Sequence, residues 1–435
     1  MDFLVTPGGS LHGLIEVPGD KSISHRALIL GALAEGESVI TNILAADDIR
    51  ATAGALKSLG VKIGGMDSEC RVHGVGLAGL TKPHHPLDLG NSGTALRLLS
   101  GVIAGQSFSV TLTGDSSLRR RPMDRIKEPL VLMGADIEAS DGVCVPLQIT
   151  GKRRLTGIEY SPPIASAQIK SAVLLAGLYA QGITTVREKL KTRDHTERML
   201  AGFGCPVEIS ETSVTVTGGG RLQGRSLSIP GDFSSAAFFL VAALITPSSE
   251  ITLSGVGVNP TRTGALEVLR RMGATIEVNN SRKIAGEPVA DVKVISSTLH
   301  GFAIPPELVV SSIDEFPALA VAAACAQGTT SISGAAELRV KESDRIKSIV
   351  AGLRALGIVV EEFPDGMTIH GGQFRGGVVE SHGDHRIAMA FAVAGAVSSA
   401  PVRVMNCDLV QTSFPGFSNV AQMAGLQLVV NGGES

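Results

Sequence analysis

The hydrophobic and polar positions of this chain repeat one pattern six times. Each copy has an apolar helical run, a Gly, a strand of Thr or Ser with Val or Ile, a polar or basic segment, and an amphipathic helix that ends at a Gly. The glycines that close the six copies are Gly60, Gly134, Gly204, Gly273, Gly357 and Gly425. Six copies of this size account for nearly the whole chain, so the repeat determines the architecture.

The fifth copy shows the pattern most clearly. Residues 318–326 are apolar all round, which predicts a helix buried on every side, and Gln327-Gly328 is expected to end that helix. Residues 329–332 predict a strand, and Ser343-Asp344 predicts the cap of an amphipathic helix that runs to Gly357. Each copy is therefore predicted to fold as strand, buried helix, strand, amphipathic helix, strand, strand. One copy leaves two apolar helix faces uncovered, so the copies are expected to stack.

A second symmetry divides the six copies into two groups of three. The sequence Val-Pro-Gly-Asp-Lys-Ser at 17–22 is echoed by Ile-Pro-Gly-Asp-Phe-Ser at 229–234. Pro-Gly interrupts regular structure, so both places are predicted to be crossovers between two lobes. Lobe one would hold residues 1–19 and 232–435, and lobe two would hold residues 20–231. A solenoid is the competing architecture, although solenoid repeats are usually shorter, at roughly 20 to 45 residues.

Composition narrows the functional classes. A hydrophobic content of 44% with 18% charged residues is typical of a globular protein, and a net charge of -3 gives no reason to expect attraction to nucleic acid or a membrane. The five cysteines form no CxxC pair and no set with His at ligand spacing, so neither a disulfide framework nor a zinc site is expected. The first residues lack the pattern of a secretory signal. These features predict a cytoplasmic protein without a metal.

The variable charged segments occupy one topological position in every copy. We expect their Arg and Lys to lie where a buried helix is about to begin, since helix N-termini offer free N–H groups and a positive dipole end to anions. Arg adds paired donors for phosphate or carboxylate. Solvated turn residues are the alternative interpretation, which weakens because the charges recur. The segments are 46–50, 118–122, 191–195, 259–262, 340–345 and 411–415.

Four motifs are candidates for chemistry. Residues 21–26 place Lys, two Ser and Arg on the first turns of the first buried helix, and residues 89–97 form a Gly-rich turn into a helix that is neither a Walker A nor a Rossmann motif. Lys341 beside Glu342 could be a proton-transfer pair or a surface ion pair. His385 follows a capping Asp, and a hydrogen-bonding role is expected for it rather than a metal-binding one.

These motifs, in this order and spacing from end to end, resemble those of the 5-enolpyruvylshikimate-3-phosphate synthase family of enolpyruvyl transferases. The resemblance implies an α/β fold of two lobes, each an inside-out barrel of three βαβαββ repeats, with the active site between the lobes. It implies transfer of the enolpyruvyl group of phosphoenolpyruvate to the 5-hydroxyl of shikimate 3-phosphate by addition and elimination, without metal or cofactor. A monomer is the usual form. We expect shikimate 3-phosphate to drive lobe closure, which small-angle scattering would detect as compaction. The motifs are Gly19-Asp20-Lys21-Ser22, Gly90-Asn91-Ser92-Gly93-Thr94, Arg121-Pro122-Met123, Lys341-Glu342-Ser343-Asp344-Arg345 and Asp384-His385-Arg386.

The resemblance also implies residue roles. Asp314 would accept the proton of the attacking hydroxyl, while Glu342 and Lys21 would handle proton transfer at the methylene carbon. The implied contacts of shikimate 3-phosphate are Lys21, Ser22, Arg26, Ser166, Ala167, Gln168, Arg193, Asp314 and Lys341. The implied contacts of phosphoenolpyruvate are Lys21, Asn91, Gly93, Thr94, Arg121, Gln168, Arg345, His385 and Arg386.

The chain departs from the commonest family pattern at a few positions. His25 stands where some members have Asn, Ser92 and Leu98 differ from the usual Gly-rich wall, and Thr412 stands where some members carry a Lys. The sister UDP-N-acetylglucosamine enolpyruvyl transferase usually has a reactive Cys in the loop at 114–122, and this loop has none. A catalytically inactive protein that binds anionic metabolites is the rival from another class; it would be expected to lack Asp314, Glu342 or Lys21.

Overall fold

The computed structural model describes residues 1–67, 69–152 and 154–432. The helices in these residues are α1 (Lys21–Leu33), α2 (Asp47–Ser58), α3 (Gly93–Ala104), α4 (Asp124–Leu132), α5 (Ala167–Gly177), α6 (His195–Gly202), α7 (Phe233–Ile245), α8 (Gly264–Arg271), α9 (Pro306–Ser312), α10 (Phe316–Ala324), α11 (Arg345–Ala355), α12 (His385–Gly395) and α13 (Phe417–Ala424). Short 3₁₀ turns cover Leu118–Arg120, Ala336–Val340 and Asp408–Thr412.

The strands are short and numerous. They are β1 (Asp2–Val5), β2 (His12–Ile15), β3 (Glu35–Thr41), β4 (Lys62–Gly64), β5 (Glu69–Val75), β6 (Leu87–Asp88), β7 (Ser109–Thr113), β8 (Asp136–Ser140), β9 (Cys144–Thr150), β10 (Leu155–Thr156), β11 (Glu159–Tyr160), β12 (Ala180–Gln181), β13 (Ile183–Arg187), β14 (Val207–Ile209), β15 (Ser213–Thr217), β16 (Ser226–Ser228), β17 (Glu250–Gly257), β18 (Thr275–Ile284), β19 (Glu287–Ile295), β20 (Thr329–Ile332), β21 (Val360–Phe363), β22 (Gly366–His370), β23 (Gly377–Glu380), β24 (Val402–Met405) and β25 (Leu428–Asn431).

The chain forms two compact units. The first unit comprises residues 1–18, 230–283 and 288–435, and the second unit comprises residues 19–229 and 284–287. The short segment 284–287 holds the last residue of β18, the two residues of the turn and the first residue of β19, so the tip of this hairpin is grouped with the second unit and the rest of its strands with the first.

Each repeat has its own small sheet; in the described residues five of the six sheets have four strands and share one topology, while the sheet of the fifth repeat has three strands, with isolated parallel bridges at His300 and Ala303 in place of a first strand. A parallel pair of strands flanks a buried helix, and two antiparallel strands follow, as in the order β6-β7-β9-β8 of the second repeat. In the second unit the other sheets are β16-β3-β5-β4 and β11-β13-β15-β14, with a separate β10-β12 pair. In the first unit they are β18-β19-β17-β2, β20-β22-β21 and β23-β24-β1-β25. The predicted order of strand, helix, strand, helix, strand, strand is thus confirmed in five repeats, and the fifth follows it from its buried helix onward.

Strands from distant parts of the chain complete several of these sheets. In the second unit β16 pairs in parallel with β3, so the end of this unit supplies the first strand of its first repeat. In the first unit β1 lies between β24 and β25, with Phe3 opposite both Val404 and Val430. The strand β2 pairs in parallel with β17. The N-terminal residues therefore complete two different sheets of the first unit.

The core of each unit surrounds three apolar helices. These are α1, α3 and α5 in the second unit and α7, α10 and α12 in the first, and nearly every residue beyond their first turn is buried. An Asp or Ser side chain caps five of the six by accepting a backbone N–H of the first turn, which fixes where each of these helices begins. No helix in the described residues is long and apolar enough to cross a bilayer.

The six closing glycines all adopt a left-handed backbone, with φ between 83° and 111°. A residue with a Cβ is strained there, so Gly is the residue that ends each amphipathic helix and turns the chain into the next strand. The predicted helix ends are confirmed at these positions.

Three details differ from the sequence predictions. The apolar helix of the fifth repeat is Phe316–Ala324, ending before Gln327-Gly328, because Cys325 already takes up the C-cap. The helix α9 was not predicted. The charged segments precede the amphipathic helices α2, α4, α6, α8, α11 and α13, and the expectation that they precede buried helices was wrong. Their recurrence reflects the βαβαββ order, in which the second helix of each repeat follows the second strand.

Candidate active site

In the second unit, side chains on the first turns of α1, α3 and α5 are joined by hydrogen bonds. On α5, Gln168 donates from Nε2 to Thr94 Oγ1 at 2.8 Å and accepts from Arg97 Nη1 at 2.5 Å, which ties the start of α5 to the start of α3. On α1, Arg26 Nη2 donates to Ser171 Oγ of α5 at 2.7 Å. Because all three helices begin near these contacts, the structure brings together the predicted residues of 21–26, 91–94 and 166–168.

Lys21 is the first residue of α1 and pairs with a carboxylate of the neighbouring amphipathic helix. Its Nζ lies 2.6 Å from Asp48 Oδ2, and both side chains are largely buried. Asp20, one residue earlier, caps α1 by accepting from the Ile23 amide at 2.8 Å. The cap fixes where the helix begins, and the ion pair restrains the ammonium group at that end.

Arg26 is buried, and its guanidinium donates hydrogen bonds from all three of its nitrogen atoms. Nε donates to Thr196 Oγ1 at 2.7 Å and Nη1 donates to the Ser22 carbonyl at 2.9 Å, besides the bond to Ser171. Burial lowers the pKa of Arg26 to about 10, and the charge of Arg193 acts in the same direction, while Glu197 opposes both. Arg26 therefore remains cationic at neutral pH and lies close enough to Arg193 for their charges to interact.

The Gly-rich turn before α3 holds Arg121. Asn91 accepts from Arg121 Nη2 at 2.7 Å through its Oδ1 and donates from Nδ2 to Asp115 Oδ2 at 2.7 Å. Gly93 opens the helix directly beside this guanidinium, since a Cβ at Gly93 would lie 3.0 Å from Arg121 Nη1 and 3.1 Å from Arg97 Nη1. Gly therefore leaves room here for two cationic side chains, which would have to shift to accommodate a Cβ.

His25 is fully buried between α2 and α3. Its Nδ1 lies 2.8 Å from Thr52 Oγ1, and its Nε2 lies 3.4 Å from Ser92 Oγ. Burial, together with the charges of Lys21 and Arg26, holds the pKa of His25 well below its usual value of 6.5. The neutral imidazole of His25 therefore links α1 to Thr52 of α2 and to Ser92, the cap of α3.

In the first unit, Arg345 forms ion pairs with three carboxylates. Its Nε donates to Asp384 Oδ2 at 2.8 Å, its Nη2 to Glu342 Oε2 at 2.5 Å and its Nη1 to Asp314 Oδ1 at 3.4 Å. Burial lowers the pKa of this guanidinium, but the surrounding carboxylates outweigh burial and raise the pKa above its ordinary value. Burial likewise raises the pKa of the Asp384 carboxyl, and Arg345 overcomes that effect so that the net shift is downward. Arg345 is therefore cationic and Asp384 anionic at neutral pH.

Asp314 is the part of this cluster that faces further cations. Lys341 Nζ lies 3.6 Å from its Oδ1, and Arg386 Nη1 donates to its carbonyl oxygen at 2.9 Å. Behind it, the buried Glu315 accepts from Arg262 Nη1 at 2.7 Å and lies 3.8 Å from Arg386. The structure therefore brings Asp314, Lys341, Glu342, Arg345 and Arg386 together in one place.

Other predicted residues occupy adjoining positions. Ser166 caps α5 through its Oγ, which accepts from the Ile169 amide at 3.4 Å, and Ala167 is the first residue of that helix. His385 is buried on the first turn of α12. Thr412, at the position of the missing Lys, is buried and donates to the Leu409 carbonyl at 2.6 Å.

Sequence reasoning missed four supporting residues: Asp48, Arg97, Asp384 as the partner of Arg345, and Glu315. Asp48 and Asp384 lie inside segments that had been singled out, so a search for the counter-charge of each predicted cation could have found them. Arg97 also lies inside such a segment, 89–97, but no local pattern predicts its contact with Gln168, which is distant in sequence. The same holds for the contact of Glu315 with Arg262.

One group in the described residues has the composition of a metal site. Ligand atoms of Asp194, His195 and Glu287 lie within 4.8 Å of one another. However, Asp194 accepts from Arg198 Nε at 2.8 Å, and His195 Nδ1 lies 2.8 Å from Glu287 Oε1. Protein contacts thus account for this group.

The fold and the site define an α/β repeat protein in which Lys and Arg side chains at or near helix N-termini lie beside buried carboxylates. Comparison with known proteins gives the family. The model of EPSP synthase (3-phosphoshikimate 1-carboxyvinyltransferase) matches residues 5–421, and the chain belongs to this family. The family and fold class predicted from the sequence are confirmed.

Individual relatives agree along their full lengths. A 3-phosphoshikimate 1-carboxyvinyltransferase of Acidithiobacillus ferrooxidans is 58% identical over 98% of this chain and 99% of its own. The protein of the same name from Alkalilimnicola ehrlichii is 56% identical over 98% of this chain and 96% of its own. A solved structure of EPSP synthase from Acinetobacter baumannii has a TM-score of 0.88 and 48% identity, covering 98% of this chain and 99% of that one.

Proposed function

We propose that this protein transfers the enolpyruvyl group of phosphoenolpyruvate to the 5-hydroxyl of shikimate 3-phosphate and releases phosphate. The product is 5-enolpyruvylshikimate 3-phosphate, on the route to chorismate and the aromatic amino acids. Family membership supports the reaction. The observation that carries the assignment is the cluster in which Asp314 and Glu342 share the guanidinium of Arg345, with Lys341 alongside.

Both substrates are polyanions, so binding needs fixed cations. For phosphoenolpyruvate we assign Arg121, which Asn91 orients, and Arg386, which the Asp314 carbonyl and Glu315 orient. Arg345 is 99% buried and its Nε and Nη2 are held by carboxylates at 2.8 and 2.5 Å. Its Nη1, with one long bond of 3.4 Å, is the atom that would reach a ligand. Preoriented guanidinium groups bind carboxylate and phosphate without losing much side-chain freedom.

The remaining phosphoenolpyruvate contacts come from the wall at the start of α3. Asn91, Gly93 and Thr94 would line it, and Gln168 would bridge the two substrates from the start of α5. Gln168 is oriented by its bonds to Thr94 and Arg97. His385 and Lys21 complete the assigned set. For shikimate 3-phosphate the assigned contacts are Lys21, Ser22, Arg26, Ser166, Ala167, Gln168, Arg193, Asp314 and Lys341.

The reaction needs a base for a hydroxyl group and an acid for a carbon atom. Asp314 would take the proton from the 5-hydroxyl as its oxygen bonds to C2 of phosphoenolpyruvate, while Glu342, with Lys21, would deliver a proton to C3. This addition gives a tetrahedral intermediate. A proton then leaves C3, the double bond forms again, and the C2–O bond to phosphate breaks. In the addition step one carboxyl group would accept a proton while the other delivers one, and Arg345 contacts both of them.

We further propose that the enzyme acts as a monomer in the cytoplasm, without a metal, an organic cofactor, nucleic acid or a membrane as partner. The two units described above would be its lobes.

Phosphate release tests the assignment directly. Wild-type protein is incubated with phosphoenolpyruvate and either shikimate 3-phosphate or UDP-N-acetylglucosamine. We expect release only with shikimate 3-phosphate. Release with the UDP-sugar instead would move the assignment to the sister enzyme, and release with neither would support a non-catalytic binding protein.

Two variants test the acid–base roles. Glu342→Gln keeps the size of the side chain but removes its proton-donating carboxyl, so we expect kcat to fall by roughly a hundredfold or more. Glu362→Gln is the matched control, because Glu362 pairs with Arg339 at 3.0 Å on the surface of the same unit. Equal activity of the two variants would remove Glu342 from the mechanism.

A further inference from the structure

The second unit contains a fully buried lysine that the proposed reaction does not use. Lys170 lies on the first turn of α5, two residues after Gln168, and its side chain is 0% exposed. Its Nζ lies 2.7 Å from Glu197 Oε1 and 2.8 Å from Glu188 Oε2, and donates to the Thr192 carbonyl at 3.3 Å. One ammonium group thus contacts three positions of a single stretch of chain.

Burial of this charge is costly, and packing alone would not favour it. Removing an ammonium ion from water costs several kcal/mol even when it is paired, and an apolar side chain of similar volume often serves as well or better. The next residues of α5, Ala172 to Ala176, are all apolar and buried. A lysine here is therefore explained by what it contacts, which is the segment 188–197.

Side-chain contacts hold the segment 188–197 on both sides of Arg193. Before it, Glu188 Oε1 accepts from the Thr192 amide at 3.1 Å and also from the Thr192 hydroxyl. Together with the bond from Lys170 to the Thr192 carbonyl, this restrains both peptide groups of Thr192. After it, Asp194 accepts from Arg198 Nε at 2.8 Å. Both neighbours of Arg193 are therefore held in place.

The far end of the segment is attached to the anion-binding helices. Thr196 Oγ1 accepts from Arg26 Nε at 2.7 Å and lies 2.7 Å from Ser171 Oγ. Ser171 is the residue after Lys170. The start of α5 thus contacts the segment 188–197 through Lys170 and Ser171. The same part of the helix carries Gln168, two residues before Lys170.

We propose that Lys170 is a positioning residue which, through Glu188 and Glu197, fixes the segment 188–197 so that Arg193 meets the phosphate group of the acceptor. This inference rests on the proposed function, in which Arg193 and Arg26 bind shikimate 3-phosphate. Lys170 touches no substrate in this account. It sets the place of a cation whose own side chain is partly exposed.

A double-mutant cycle tests this positioning. Glu188→Gln keeps the volume of the side chain but weakens its hold on Lys170 and Thr192, and Arg193→Ala removes the cation that it is said to position. We expect Glu188→Gln to raise the Kd of shikimate 3-phosphate about tenfold in the wild-type background and less than about twofold in the Arg193→Ala background. The Kd of shikimate, which lacks the phosphate, should change less than about twofold in either background.

Controls separate this role from a general loss of stability. Glu159→Gln is the matched control, because Glu159 forms an exposed pair with Arg187, the residue before Glu188, and should leave both Kd values unchanged. Lys170→Met is made together with Glu188→Gln and Glu197→Gln, so that no buried charge is left unpaired. In this triple variant we expect the Kd of shikimate 3-phosphate to rise by the same factor of about ten.

The outcomes are distinguishable. Equal effects of Glu188→Gln with and without Arg193, or equal effects on shikimate and shikimate 3-phosphate, would overturn the positioning role while the proposed function stands. If the wild type binds no shikimate 3-phosphate, the proposed function fails and the acceptor part of this inference fails with it. Amide exchange then decides the rest: unchanged protection of Thr192 in the triple variant would show that Lys170 does not fix the segment.

Discussion

Acidification should weaken the second unit through His25. The folded unit keeps this imidazole neutral, because it is fully buried beside Lys21 and Arg26, while the same histidine in the unfolded chain titrates near its ordinary pKa of 6.5. As the pH falls below that value, the unfolded state binds a proton that the folded state does not accept. The stability is therefore fully present above pH 6.5 and is lost as the pH falls.

The size of the effect follows from this difference in bound protons. One proton bound only by the unfolded state lowers the free energy of unfolding by about 1.4 kcal/mol per pH unit, or about 2 kcal/mol between pH 6.5 and pH 5. His25→Asn removes the titrating group and keeps a side chain that can hydrogen-bond to Thr52 or Ser92. The variant should therefore lose this part of the pH dependence.

Tyrosine fluorescence can follow the second unit alone. The chain has no Trp, and its two tyrosines, Tyr160 and Tyr179, both lie in the second unit. Urea unfolding is measured for wild type and His25→Asn at pH 7 and pH 5. We expect the wild type to lose about 2 kcal/mol more than the variant on going to pH 5. A difference between the two proteins that does not change with pH would refute the reasoning.

Three further predictions concern other contacts. Gly93→Ala would place a Cβ 3.0 Å from Arg121 Nη1 and displace the guanidinium, so we expect the KM of phosphoenolpyruvate to rise about tenfold or more, and an unchanged KM would contradict this. Asp384→Asn keeps the helix cap but removes a charge from the buried Arg345, so we expect a loss of about 3 kcal/mol in the free energy of unfolding, whereas a loss below about 1 kcal/mol would argue against it. Burial raises the pKa of Cys325 to about 12, so labelling of this thiol at pH 8 should be slow until the protein unfolds, and rapid native labelling would show that the thiol is accessible.

The sequence predicts the fold well because the repeat is expressed in local chemistry. Gly204 and Gly357, for example, end their helices in a left-handed backbone that other residues adopt only with strain. The composition of each helical stretch distinguished the buried helices from the amphipathic ones. What it could not predict is which strand completes each sheet, since β1 pairs with strands some 400 residues away and the pairing depends on the closed unit.

The candidate site was predictable to a different degree. Residues that meet an external anion, such as Arg121, occur in motifs that single them out. Residues that hold those cations in place do not, because a partner such as Glu315 or Lys170 is identified only by a contact between elements distant in sequence. Their sequence surroundings are ordinary helix starts.

The strands at the beginning of the chain have a consequence for how the protein is made on the ribosome. The second unit, apart from the hairpin tip 284–287, is continuous from 19 to 229 and can fold as soon as it has left the exit tunnel. The residues before it cannot: β2 waits for β17, and β1 waits for β24 and β25, which lie some 400 residues further along the chain. After residue 229 has left the tunnel, β1 therefore remains unpaired while the second unit is already folded, and the sheet that contains β1 can form only once β24 and β25 have been made.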